Sequence, residues 1–166
     1  TTAPWALSVM APGGTAIVPL PPRGSHPEDL LPVNTLVMWS YVDMSDPRWT
    51  WGQQFILLSQ DSNTDKPQKL GAVVPDEWAA HLNDGVLFVK QFDTFPGATY
   101  PDMGSQAEIF TNDFMLELET MGVLQSIEPG SYAEHVETWN LFQGVDAVSN
   151  DADVLANVMP HVATIK

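Results

Sequence analysis

Turn formers cut this chain into short pieces. Fourteen Pro and eleven Gly are spread along 166 residues; each Pro removes a backbone donor that a helix needs, and each Gly weakens an element's interior. Between the cuts lie β-branched and aromatic runs of strand length, which predicts an all-β chain. Strands are expected at Trp5–Met10, Thr15–Leu20, Leu36–Val42, Phe55–Gln60, Lys69–Val74, Gly85–Phe92, Gln106–Phe110, Phe114–Thr120 and Tyr132–Phe142. Pro12-Gly13-Gly14, Asp61-Ser62-Asn63 and Pro129-Gly130 supply the turn chemistry between them. Two segments read as helix instead: Glu77–Leu82, with Asp76 as cap, and a stretch from Asn150 or Asp151 to about Val158, stopped by Pro160. Pro21–Pro32 reads as a surface loop, and Asp93–Ser105 as a loop long enough to bind something.

The length supports one core and not two. A division into a β-sandwich domain over 1–143 and a helical tail over 144–166 is therefore expected. Lys and Arg total 6 against 21 Asp and Glu, a formal charge of −15, which disfavours phosphate backbones and anionic bilayers as partners. No apolar run approaches the roughly 20 residues of a membrane-spanning helix. Neither nucleic acid nor membrane is an expected partner. With no Cys, thiolate metal sites, disulfides and Cys nucleophiles are all excluded. No Gly-x-Ser-x-Gly elbow supports a serine nucleophile.

Alternation of side chains along a strand then sorts the polar residues. In Phe114–Thr120, Met115, Glu117 and Glu119 share one face, and Phe114, Leu116 and Leu118 share the other. In Tyr132–Phe142 the same rule groups Ala133, His135, Glu137, Trp139 and Leu141, which mixes titratable groups with an aromatic platform. Six Trp are present; Trp39, Trp49, Trp51 and Trp139 lie near polar groups that include Asp46, Arg48, Glu137 and Asn140. Flat aromatic faces ringed by carboxylates, amides and Arg suit a sugar. Arg48, flanked by Asp46 and Trp49, reads either as a structural ion pair or as a hydroxyl clamp. Lys90 lies between Phe88 and Phe92 at i±2, and is expected to snorkel at a sheet rim more readily than to be desolvated.

The series Glu108-Ile109-Phe110-Thr111-Asn112, Leu116–Gly122, Glu128-Pro129-Gly130 and Glu134–Trp139, with Trp5–Gly14 and Asp46–Trp49 upstream, resembles an uncharacterised family of the galactose mutarotase-like superfamily. The resemblance spans roughly residues 4–143 and implies an antiparallel β-sandwich that is the C-terminal part of a supersandwich, with one or two short helices. By likeness to aldose epimerases, Leu118-Glu119-Thr120 is the strand whose Glu serves as general base on a sugar's anomeric hydroxyl. The family's His near the first strand has no counterpart between Trp5 and Val18, which leaves His135 as the available partner. Glu119 and His135 are accordingly the candidate catalytic residues. Arg48, Trp49, Glu108, Asn112, Glu117, Glu137 and Trp139 are the candidate ligand contacts.

A carbohydrate ligand is the expected partner, and no cofactor is implied. Three readings stay open: a sugar-converting enzyme of the epimerase type, a non-catalytic carbohydrate-binding module, and a metal-dependent β-sandwich enzyme using His135 and neighbouring carboxylates. No metal ligands are assigned, because His26, His81, His135 and His161 show no His-x-His or His-x-x-x-His spacing. A partial supersandwich leaves strand edges or part of a sheet face uncovered. Either the tail after Phe142 folds back over them, or a second copy does; a homodimer is expected.

Overall fold

A computed structural model describes residues 1–165. Eleven strands form in chain order: β1 (Trp5–Met10), β2 (Thr15–Pro19), β3 (Leu36–Met38), β4 (Trp49–Trp51), β5 (Phe55–Ser59), β6 (Gln68–Ala72), β7 (Trp78–Asn83), β8 (Val86–Phe92), β9 (Ala107–Thr111), β10 (Leu116–Met121) and β11 (Glu137–Gln143). They make two antiparallel sheets, one ordered β1-β10-β9-β6-β3 and the other β11-β8-β7-β2-β5-β4. The chain is thus an all-β sandwich, as its turn spacing predicts.

Two apolar layers hold it. Between the sheets, the inward-facing Leu116 and Leu118 of β10 and Ile109 of β9 meet Ala16, Val18, Ile56 and Leu58 of β2 and β5. The second layer lies on the other face of the six-stranded sheet, where Ile17, Leu57, Trp78, Leu87 and Val89 are capped by the tail. Both faces of that sheet are therefore buried over its central strands β2, β5 and β7. This is why β2, β5 and β7 are near-continuous runs of buried side chains while β1 of the other sheet alternates between exposed and half-buried ones.

The cover is a C-terminal helix, α1, made of Asp151–Asp153, Val154–Val158 and Met159–Val162, with its middle stretch wound as a π-helix. Val154, Val158 and Val162 are fully buried on the sheet. Pro160 does not stop the helix at Val158 as expected; the wide π turn just before it accommodates a ring that would clash with an ordinary helical turn. Asn150 caps the start, accepting the Asp153 N–H at 3.1 Å. The Asp151 carboxylate reaches back to the turn between β4 and β5 and accepts the backbone N–H groups of Gln53, Gln54 and Phe55 at 2.7, 3.1 and 3.2 Å. Gly52 makes that approach possible, since a Cβ there would lie 2.1 Å from Asp151 Oδ1.

The largest departure from expectation is Glu77–Leu82, which is strand β7 and not a helix. Its Ala-rich composition favours helix locally, but Glu77 takes a left-handed φ of 61° and turns the chain into the sheet. Pairing with β2 and β8 on both sides, plus burial of Trp78, Ala79, Ala80 and Leu82, overrides the propensity. Residues 131–136 are irregular, so the last strand starts at Glu137; β3 ends at Met38; and the short edge strand β4 was not expected.

Lys90 also departs from expectation. It does not snorkel: it is 0% exposed, between the sheets. Its ammonium donates to the carbonyls of Ala6 (3.1 Å) and Leu118 (3.2 Å) and pairs with Glu137 Oε1 at 2.7 Å. Desolvation lowers its pKa, and Glu137 partly offsets this. Lys90→Met is expected to destabilise the fold by about 3–5 kcal/mol in urea denaturation, because Glu137 loses its cation, and adding Glu137→Gln should recover much of the loss.

Candidate functional site

The pleat of β10 separates its polar residues onto two sides. Leu116, Leu118 and Thr120 point between the sheets; Glu117 and Glu119 point outward, on the face shared with Trp5, Leu7 and Val9 of β1. Register then aligns two rows across the five-stranded sheet. One runs Leu7, Glu119, Glu108, Gly71, Val37; the next runs Val9, Glu117, Phe110, Lys69.

Lys69 is the centre of this outer face. Its ammonium lies 2.8 Å from Glu108 Oε2 and 3.0 Å from both Glu119 oxygens. It also sits over the Trp39 ring, 4.8 Å from the centroid, and 5.5 Å from that of Trp5. Trp5 Nε1 donates to Glu119 Oε2 at 2.8 Å while 57% of the residue stays exposed. Gly71 stands opposite Glu108 because Ser105 fills the place of its side chain, with Oγ 2.1 Å from where a Cβ would be.

Burial works against the Lys69 ammonium, but the Glu108 and Glu119 carboxylates outweigh it and raise its pKa. Glu108 differs from Glu119. It is 1% exposed, its contact with Lys69 is an ion pair without an aligned hydrogen bond, and burial pushes its carboxyl up to about 7, with Lys69 opposing and Glu119 and Asp102 reinforcing. Burial also raises Glu117, with Glu119 adding to the effect and Lys69 opposing it.

A second cluster lies on the inner side, where Lys90 meets Glu137. Thr120 Oγ1 bonds both His135 Nε2, at 2.7 Å, and Glu137 Oε1. Trp139 Nε1 donates to Glu137 Oε2 at 2.9 Å, and the Trp139 ring meets Phe88 edge-on at 5.6 Å. His135 Nε2 is 4.0 Å from Glu137 Oε1. Desolvation lowers the His135 pKa, opposed by Glu137 and reinforced by Lys90. Burial opposes ionisation of Glu137, but Lys90, Thr120 and Trp139 prevail and lower its pKa.

The candidates named from sequence therefore divide. Glu108, Glu117 and Glu119 come together on the outer face, while His135, Glu137 and Trp139 come together on the inner side. Glu119 and His135 do not form one acid–base pair, because β10 stands between them: its residue 119 points out and its residue 120 carries the contact to His135. Arg48 and Trp49 join neither group. Arg48 makes a two-pronged, buried ion pair with Asp46, both contacts at 2.9 Å, and Trp49 is a core residue whose Nε1 donates to Gln68. Asn112 caps the β9–β10 turn by accepting from the N–H groups of Phe114 and Met115, each at 3.0 Å. Of the outer face, sequence reasoning missed Lys69 and Trp5. Lys69 alternates with buried Gln68 and Leu70, a signal for the outer face but not for its partners.

Two clefts of about 660 Å³ flank β11. One, on its inner side, is lined by Leu7, Val9, Phe88, Trp139 and Leu141; the other, on its outer side, by Asp76, Glu77, Asp93 and Thr138. Among the described residues no three His, Asp or Glu side chains converge on a metal position, and none of the helices is long and apolar enough to cross a membrane. No protein-family model, curated protein or solved structure matches the chain.

The Glu108 carboxyl gives a signed pH test. Its folded-state pKa of about 7 lies above the ordinary 4.5, so its contribution to stability is fully present below about pH 4.5 and is lost as pH rises through 7. His81 and His135, both lowered by desolvation, act oppositely in the acid range, so the comparison must be between variants. Glu108→Gln should gain stability over the parent between pH 5 and 8, by on the order of 2–3 kcal/mol at the upper end. Parallel chemical-denaturation curves that do not diverge across that range would refute it.

Proposed function

We propose that this chain is a carbohydrate-active domain of the aldose-epimerase type, with its sugar site on the outer face of the five-stranded sheet around Glu119. The observation that carries the reading is the Lys69 cluster: two carboxylates and an ammonium held beside the exposed indole of Trp5. A sugar needs both parts, a flat apolar platform for its C–H face and fixed charged groups for its hydroxyls. The ordered motif resemblance around Leu118-Glu119-Thr120 supports the same place and a Glu general base. Glu119→Gln, which takes one carboxylate out of the Lys69 cluster, is expected to lower sugar turnover, read by polarimetry of freshly dissolved aldoses; unchanged turnover would remove the cluster from the mechanism.

A second reading, a non-catalytic carbohydrate-binding module, is favoured by one observation, the separation of Glu119 from His135 by the thickness of β10. Sugar binding in titration calorimetry without any acceleration of mutarotation would select it. A metal-dependent reaction has less support, since Glu137 is already engaged by Lys90 and Thr120.

The proposed assembly is a homodimer through the open flank of the sandwich. There β1 pairs only with β10 and β11 only with β8, and β1 (Trp5-Ala6-Leu7-Ser8-Val9-Met10) has neither the charge nor the proline that usually protects an edge. Its Leu7 and Val9 are exposed, as is Leu141 of β11. The helix α1 covers the six-stranded sheet and leaves this flank open. Light scattering is expected to give twice the 18.2 kDa chain mass at micromolar concentration; a monomer throughout that range would reject the dimer.

A further inference from the structure

The carbohydrate reading leaves open which outward carboxylate of β10 meets the ligand, and the geometry separates the two. Glu119 is enclosed. Its side chain is 0% exposed, Lys69 donates to both of its oxygens at 3.0 Å, and Trp5 Nε1 adds a third donor at 2.8 Å. A carboxylate so occupied has little left with which to receive a proton. Glu117 is two residues back on the same face, half-buried, with Val9 and Phe110 as its cross-strand neighbours. Those neighbours are apolar, and among the described residues none of the hydrogen bonds or ion pairs of the outer face involves it.

Resting on that reading, we propose that Glu117 is the carboxylate that touches the sugar and takes its proton, and that Glu119 is a positioning residue holding Lys69 and Trp5 in place. In the step this assigns, Glu117 accepts the proton of the anomeric hydroxyl as the C1–O5 bond breaks. C1 becomes a carbonyl, and O5 takes a proton from water; reversal after rotation about C1–C2 gives the other anomer. The direction of its pKa agrees with the role, since a base works best when its pKa approaches the working pH. The titratable groups facing Glu117 are Glu119 on its own strand, which raises it, Lys69 of β6, which lowers it, and the Tyr41 phenol, whose own pKa the Glu117 charge helps to raise; burial raises Glu117 most.

The test is mutarotation of α-D-glucose and α-D-galactose by the full chain, with thermal melts alongside. Glu117→Gln should lose at least about 100-fold in kcat with an unchanged melt, and Glu117→Asp should recover part of it. Glu119→Gln should lower the melting temperature and move the acid limb of the pH–rate profile to lower pH, because the charge that raises Glu117 is gone. In the parent protein, carbodiimide coupling read by mass spectrometry should modify Glu117 ahead of Glu119, and bound sugar should protect it. Full turnover by Glu117→Gln, or modification of Glu119 first, overturns the assignment while leaving the carbohydrate reading intact. No binding or turnover of any aldose by the parent protein overturns the carbohydrate reading, and this assignment with it.

Discussion

The ammonium of Lys90 is a buried polar fastening between the two sheets. It projects from β8 of one sheet and bonds to the backbone of β1 and β10 of the other, while pairing with Glu137 at the start of β11. Three acceptors satisfy its three donors, which is the condition under which a buried charge is tolerated. Because two of those acceptors are main-chain carbonyls, the contact fixes the position of β10 relative to β8 and not merely the side chains between them. Together with the register of β10 between β1 and β9, it holds Thr120 inward and Glu119 outward.

From that placement follows the division of polar chemistry into two clusters with different electrostatics. The inner one is nearly complete: Lys90, Glu137, Thr120 and Trp139 satisfy one another, so its energy goes into structure. The outer one is unbalanced, with three carboxylates on the face of β9 and β10 and a single ammonium, Lys69, among them. A buried carboxylate such as Glu108 that lacks an aligned donor holds its proton toward neutral pH. Pairs of groups whose environments differ in this way are what acid–base chemistry uses, and Glu108 and Lys69 of the outer face are such a pair.

Much of this was legible from the sequence, for a definite reason. The period of two in Leu116-Glu117-Leu118-Glu119 identifies the outward carboxylates without reference to any other strand. What was not legible is what crosses strands: Lys69 reaches Glu119 across 50 residues of chain and Trp5 reaches it across 114. The pairing of His135 with Glu119 failed for the same reason, since alternation within one strand does not say which face of a neighbouring strand it meets. Trp78–Asn83 failed differently: its local composition favours a helix, and only its central place in the six-stranded sheet makes it a strand. Lys90 looked like a rim residue because its aromatic neighbours do not disclose two carbonyls waiting on the opposite sheet.

The tail carries a consequence for the order in which the molecule takes shape. The outer face of the six-stranded sheet is roofed by residues 151–162, and the Asp151 carboxylate joins three backbone N–H groups made about a hundred residues earlier. During synthesis, then, the apolar side of β2, β5 and β7 has no cover until residues 151–162 have left the ribosome. The strand pairings that precede it, β1 with β10 above all, are themselves distant in sequence and slow to close. Until residues 151–162 have emerged, a nascent chain of this design leaves Ile17, Leu57 and Val89 open to whatever is nearby, and that is the period in which a chaperone would find it.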